Sequence, residues 1–293
     1  MPVLALDVGG TKLAAALVDD DGTLVRTARR PTPDDPWAAC AALLEQVRAG
    51  ARVDGVGAGC GGPMQWPEGV VSPLNMPAWR DFPLRAALAE RYPGVLVRVH
   101  NDAVCFALGE HWRGAGAGSA DLIGVVVSTG VGAGVVVGGR VLDGSTGSAG
   151  HLGHVVVDPD GPECGCGGRG CLEAVARGPA VVAWARGRGS EAADGRQLAA
   201  LADAGDDVAR AALARAGRAL GVALSGAAAL LDLRLAVVGG GLSQAGAALW
   251  EPLHQAVAQH ARLPFTEDLQ VVPAALGQDA GLVGAAALVL GGR

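Results

Sequence analysis

No basic stripe runs through this sequence. Lys+Arg total 23 against Asp+Glu 29, a formal net charge of −6, and Lys12 is the single lysine. Without a summed field that favours a polyanion, and without clustered arginines, nonspecific nucleic-acid binding is not expected. Low complexity is missing too, because Gly 47 and Pro 16 stay below the share that marks disordered or collagen-like chains. The opening residues Met1-Pro2-Val3-Leu4-Ala5-Leu6-Asp7 have no basic segment ahead of an apolar stretch and no cleavage site, so they read as a first strand and not as an export signal. The longest uncharged run, Leu122 to Gly139, is broken by Ser128, Thr129 and six glycines, which favours turns over a membrane-spanning helix. A cytoplasmic protein with no membrane partner is expected. Its six cysteines, three of them within eight residues, then read as thiols or metal ligands and not as disulfides.

What is present is a chain of 293 residues, half of them hydrophobic, long enough for about two domains. Val3 to Val25 reads as strand, glycine turn, strand. Helical spacing covers 36–49 and 82–91, and between them an apolar strand ends in Gly59-Cys60-Gly61-Gly62-Pro63. A short strand at 96–100 passes through Asn101-Asp102 into a helix over 103–112. The segment 122–144 repeats the layout of the first hairpin. A loop-rich stretch follows over 143–171, then helices to about 230, a strand at 235–238 closed by Gly239-Gly240-Gly241, and helices over 245–259 and 280–290. Two α/β lobes, each opened by a glycine-turned hairpin, predict a cleft between them.

The chemistry-bearing residues collect at those turns. Asp7-Val8-Gly9-Gly10-Thr11-Lys12 and Ser128-Thr129-Gly130-Val131-Gly132 remove side chains where the backbone bends, leaving N–H groups and hydroxyls for phosphate oxygens. Either alone also reads as an ordinary hairpin turn, and no Gly-x-x-x-x-Gly-Lys-Ser/Thr loop is present. Asp7, ending an apolar strand, is costly there unless it holds water or Mg²⁺. Cys164-x-Cys166-x₄-Cys171, with His154 ten residues earlier, supplies the Cys₃His set of a closed, structural zinc site. His151 competes as the imidazole, and free buried thiols are the plain alternative. Asp102 reads either as a helix N-cap or as the carboxylate that takes a proton from an attacking hydroxyl. Asn75, His151 and Glu173 offer loop polar groups to a polyol. Cys40, Cys60 and Cys105 read as packed thiols.

On these residues the chain resembles the ROK sugar kinases over nearly its whole length. Leu6 through Lys12 is similar to that family's first phosphate motif, Ser128 through Gly134 to its second, and Val238-Gly239-Gly240-Gly241 to its adenosine motif. His154 with Cys164 through Glu173 is similar to its zinc element. The resemblance implies an α/β, two-lobed actin-like (ribonuclease H-like) ATPase fold with a cleft between lobes and a zinc-binding loop. The small lobe would be 1–119 with a C-terminal helix, 278–293, returning to it, and the large lobe 120–277. It further implies a homodimer, and ATP and Mg²⁺ bound through Asp7, Gly9, Gly10, Thr11, Lys12, Thr129, Gly130, Gly132, Gly239 and Gly240. Asp102 would be the base for the sugar 6-hydroxyl, in a pocket of Gly62, Asn75, Asn101, His151, His154 and Glu173. Zinc on His154, Cys164, Cys166 and Cys171 would act at second hand, holding His154 and Glu173 in place.

The sugar is read two ways. Asn75-Met76-Pro77-Ala78-Trp79 is similar to the Asn-x-Pro-x-Trp stretch of the glucokinase branch. The family's Glu-x-Gly-His, however, is His151-Leu152-Gly153-His154 here, and an imidazole offers a donor and an acceptor where a carboxylate only accepts. That variant resembles some bacterial N-acetylmannosamine kinases. The expected activity is ATP-dependent phosphorylation of the 6-hydroxyl of a glucose-type hexose, with N-acetylmannosamine or another amino sugar second and polyphosphate open as a further donor. Two rivals come from other classes. A sugar-responsive repressor would need a winged-helix segment before the first phosphate motif, which begins at residue 6. A catalytically silent sensor is opposed by the intact Asp102 and both phosphate loops.

Overall fold

A computed structural model of the protein describes residues 2–291. In chain order it begins with strands β1 (Val3–Val8), β2 (Lys12–Val18) and β3 (Leu24–Pro31), helix α1 (Pro36–Arg48) and strand β4 (Gly55–Cys60). The small hairpin β5 (Met64–Gln65) and β6 (Val70–Val71), helix α2 (Leu84–Arg91), strand β7 (Leu96–Asn101) and helix α3 (Asp102–Arg113) follow. Five of these strands make a mixed sheet of order β3-β2-β1-β4-β7, antiparallel through the first three and parallel from β1 to β4 to β7. The sequence reading does not separate β3. That strand carries Arg26, Arg29 and Arg30 on a largely exposed edge, where charge protects unpaired backbone from another chain and no apolar alternation betrays the strand.

Alternation along β1 and β2 sorts the two faces of this sheet. Leu4, Leu6, Val8, Leu13, Ala15 and Leu17 join Leu43 and Leu44 of α1 and Leu84 and Leu88 of α2 in one core. Val3, Ala5, Ala14, Ala16 and Val18 face the other way, with Cys105, Leu282, Ala285 and Ala286. The second face is built from small residues because α9 (Ala280–Leu290) lies almost on the backbone there. A Cβ on Gly57 of β4 would meet Ala285 O at 1.7 Å, and one on Gly284 would meet Cys105 O at 1.6 Å. Asp7 lies on this same face, in line with Val3 and Ala5.

The rest of the chain forms β8 (Leu122–Val127), β9 (Val131–Val137), β10 (Arg140–Val141), helices α4 (Leu172–Ala176), α5 (Gly178–Arg186), α6 (Gly195–Asp203) and α7 (Asp207–Leu231), strand β11 (Leu235–Gly239), helix α8 (Ala247–His260), strand β12 (Gln270–Pro273) and α9. Its sheet has the order β10-β9-β8-β11-β12, with β8, β11 and β12 parallel. The long α7 is started by Asp206, whose carboxylate accepts from Ala209 N–H, and packs along α8. By contact density the chain divides into two units. The first runs to Ala120, takes in Gly134–Ala149 and resumes at Ala275; the second comprises Asp121–Ala133 and Gly150–Ala274. No helix among the described residues is long and apolar enough to cross a membrane.

Candidate active site

In the first unit, strand register gathers the polar residues. Asp7 on β1 pairs with Gly59 on β4, Gly59 pairs with His100 on β7, and Cys60 pairs with Asn101. Three parallel strands therefore end side by side, the place where α/β sheets expose ligand sites. Asp102 is the first residue of α3. Its N-cap is Asn101, whose Oδ1 accepts from Ala103 N–H at 3.0 Å, so the residue before Asp102 does the capping. Asp102 Oδ1 also accepts from Ala103 N–H, at 2.8 Å. Beyond β4, a Cβ on Gly61 would lie 3.8 Å from Asp102 Oδ2 and one on Gly62 would lie 3.7 Å from Asn101 Nδ2, so this glycine bend faces both side chains.

Asp7 and Asp102 feel one another. Burial, and next the Asp102 charge, push the Asp7 carboxyl up to about 6, against the opposing pull of Lys12 and Arg29. The first turn of α9 closes on Asp7, since a Cβ on Gly281 would come within 2.9 Å of its Oδ2. The β1–β2 bend is held by Gly9 N–H to Lys12 O at 3.0 Å and by the Thr32 hydroxyl to Gly9 O at 2.6 Å. Behind Gly10 stands Asn75, whose Nδ2 a Cβ would strike at 1.9 Å. Lys12 Nζ is bonded to Gln278 Oε1 at 2.9 Å. Cys60 and Cys105 lie within reach of these charges but are buried, and burial raises both thiols well above their ordinary range, as it takes Cys40 to about 12.

In the second unit, the β8–β9 bend is secured from outside. Glu173, in the first turn of α4, accepts Val131 N–H through Oε2 at 2.9 Å, and Gly178 N–H reaches Ser128 O at 2.8 Å. A Cβ on Gly130 would lie 2.9 Å from the same Glu173 oxygen. Gly240, at φ +91, follows β11 and comes so close to the end of β8 that a Cβ would meet Val127 O at 2.4 Å. Thr129 is exposed and Gly132 half-buried on this bend.

Two residues before Glu173, the Cys/His element is assembled. Ligand atoms of His154, Cys164, Cys166 and Cys171 all lie within 4.8 Å of one another. Cys166 Sγ is 3.7 Å from Cys171 Sγ, and Cys164 Sγ is 3.8 Å from His154 Nδ1. A tetrahedron with metal–sulfur bonds of about 2.3 Å has edges of about 3.8 Å, so the donor set fits zinc. His151 is outside this group; its ring stacks near that of His154, with centroids 6.3 Å apart.

A model of the ROK family matches residues 3–291. The chain belongs to the ROK family. A glucokinase of Thermotoga maritima is 35% identical to it, over 99% of this chain and 97% of the relative. An N-acetylmannosamine kinase of Shigella flexneri is 37% identical, over 99% of each. A ROK family glucokinase from Streptomyces griseus, solved in complex with glucose and AMPPNP, superposes with a TM-score of 0.84 at 33% identity, over 99% of both chains. These findings bear out the α/β fold and the sugar kinase expected of a ROK chain, and the relatives divide between the same two sugars as the motifs do.

Several residues of this ROK chain's site escape the sequence reading. His100 hydrogen-bonds to Asp143, and Gly281 lies against Asp7. Glu110 is fully buried and accepts N–H bonds from Ala115, Ala275 and Leu276 at 2.8–3.0 Å. His100 adjoins Asn101-Asp102, the one signal that could have marked it; Glu110 and Gly281 leave no local trace.

Proposed function

We propose that the chain transfers the γ-phosphoryl group of ATP to the 6-hydroxyl of a glucose-type hexose. The carrying observation is the Asp102 carboxylate, placed at the end of three parallel strands beside the Gly61-Gly62 bend while its neighbour Asn101 serves as the cap. Asp102 accepts the proton of the 6-hydroxyl as that oxygen attacks, and the pair of electrons of the broken bond leaves with ADP. The residues assigned to the sugar's hydroxyls are Gly62, Asn75, Asn101, His151, His154 and Glu173.

Bound ATP supplies the phosphoryl group, and Mg²⁺ neutralises charge on its phosphates. The Gly9–Lys12 and Thr129–Gly132 bends receive the phosphates and Gly239-Gly240 the adenosine. Asp7 is the residue to hold the cation, which would offset the burial and the neighbouring Asp102 charge that raise its pKa. His154, Cys164, Cys166 and Cys171 would hold a zinc ion with four protein ligands, the set of a structural site. It would brace the stretch that carries Glu173.

His151 favours a second reading, N-acetylmannosamine. An imidazole can donate as well as accept, which suits an acetamido group better than a carboxylate does. Initial rates of ADP release with glucose, mannose, N-acetylglucosamine and N-acetylmannosamine separate the two. The Asp102→Asn variant tests the base: sugar affinity by calorimetry should stay near that of the parent while kcat falls by roughly 10²–10⁴-fold. Near-normal turnover in that variant removes the assignment.

A further inference from the structure

We propose that His100 and Asp143 are positioning residues for Asp102, an inference that rests on Asp102 being the base. His100 is the penultimate residue of β7, two before Asp102, and only 5% exposed. Its Nδ1 accepts the Asn101 N–H at 2.8 Å, which places the ring proton on Nε2, and Nε2–H donates to Asp143 Oδ1 at 3.0 Å. Asn101 in turn accepts Ala103 N–H and starts α3. A continuous chain of bonds thus runs from Asp143 through His100 and Asn101 into the helix turn that presents Asp102.

Both ends of that chain are anchored. Asp143 opens a tight loop that Ala149 N–H closes on the Asp143 carbonyl at 3.0 Å, with Gly144 and Gly147 both at φ +73. Trp66 covers the imidazole, with ring centroids 6.1 Å apart, and Gly147 is pressed against Trp66. Without Asp143 the buried Nε2–H would lose its acceptor, and the ring could satisfy it only by turning away from Asn101. Burial also lowers the His100 pKa, against Asp143's upward pull, which keeps Nδ1 free to accept. The loop that leads to His151 is thereby tied to the strand that leads to Asp102.

Asp143→Ala is the first test, because this side chain is 35% exposed and its loss leaves the core intact. The expected result is a fall in kcat of roughly tenfold or more with the KM for ATP unchanged, since small displacements of a reacting group are costly. Asp143→Asn, which keeps an acceptor for Nε2–H, should restore most of the lost kcat. Long-range ¹H–¹⁵N spectra of the parent should show His100 protonated on Nε2 and bare on Nδ1, and Asp143→Ala should disturb that tautomer. Parent-like kcat in Asp143→Ala, no recovery in Asp143→Asn, or a proton on Nδ1 in the parent each overturns the inference. If Asp102→Asn is inactive while Asp143→Ala is normal, the positioning role alone falls; if Asp102→Asn turns over normally, both readings fall.

Discussion

The two glycine bends share one hairpin plan and are secured by different chemistry. The β1–β2 bend is held by its own backbone and by Thr32, just past the end of β3, with the Asn75 amide close behind Gly10. The β8–β9 bend relies on a carboxylate, Glu173, that arrives from a helix starting immediately after the Cys171 ligand position. The first is secured without a carboxylate. The second leans on a helix that starts beside the Cys/His element, so the zinc proposed there would bear on how this bend is held.

Abolishing the proposed zinc site is the strongest way to break this comparison. Cys171→Ser, or chelation of the parent, should lower turnover by roughly 10–100-fold. Amide hydrogen exchange should quicken at Val131 and stay unchanged at Gly9; equal quickening at both would erase the distinction between the bends.

Adding one methyl group to each bend sharpens it. Gly10→Ala must displace Asn75, which a Cβ would approach at 1.9 Å, whereas Gly130→Ala meets the end of a longer side chain at 2.9 Å. Overpacking of the first kind costs about 1–3 kcal/mol. Gly10→Ala should therefore raise the KM for sugar and ATP several-fold more than Gly130→Ala does, as steady-state kinetics would read, and the reverse order would count against Asn75 as the backing of the first bend.

The smallest effect is one of pH and belongs to the first bend alone. With Asp7 at about 6, kcat/KM of the free enzyme should fall by about half as the pH is lowered to that value and recover above it. Stability has the opposite sign. A carboxyl whose folded pKa is raised contributes stability that is complete below its ordinary value of 3.8 and lost as the pH rises through about 6. Urea unfolding at two pH values should accordingly show Asp7→Asn gaining on the parent between about pH 4 and pH 7. A constant difference would mean that Asp7 keeps its ordinary pKa.

Much of this was legible along the chain. The alternation of Leu4, Leu6 and Val8 against Val3 and Ala5 marks a strand with two covered faces, and β1–β2, β8–β9, α1 and α3 lie where that kind of patterning puts them. The spacing of Cys164, Cys166 and Cys171 marks a ligand set because thiolates that close can converge through local turns. The edge strands β3 and β12 were not legible: one is arginine-rich and the other four residues ending in proline, and neither has the apolar alternation of a covered strand. The cap position belongs to Asn101, which sits one residue earlier in extended backbone, although Asp102 shares the Ala103 N–H with it. Glu110 looks like a surface helix residue until the backbone it binds, 165 residues further on, folds back over it.

Patterns of period two, glycine punctuation and short ligand spacings act within a few residues, and they were enough for the class of fold, the two bends and the Cys/His set; the sugar-kinase family came from the resemblance of the motifs. Which carboxylate stands beside which, what the Asp7 charge costs, and which side chains steady each bend depend on the register of three parallel strands and on loops that meet across dozens of residues. Electrostatic and hydrogen-bond partners are chosen by distance in space, and only the packed sheet with α9 laid against it sets those distances.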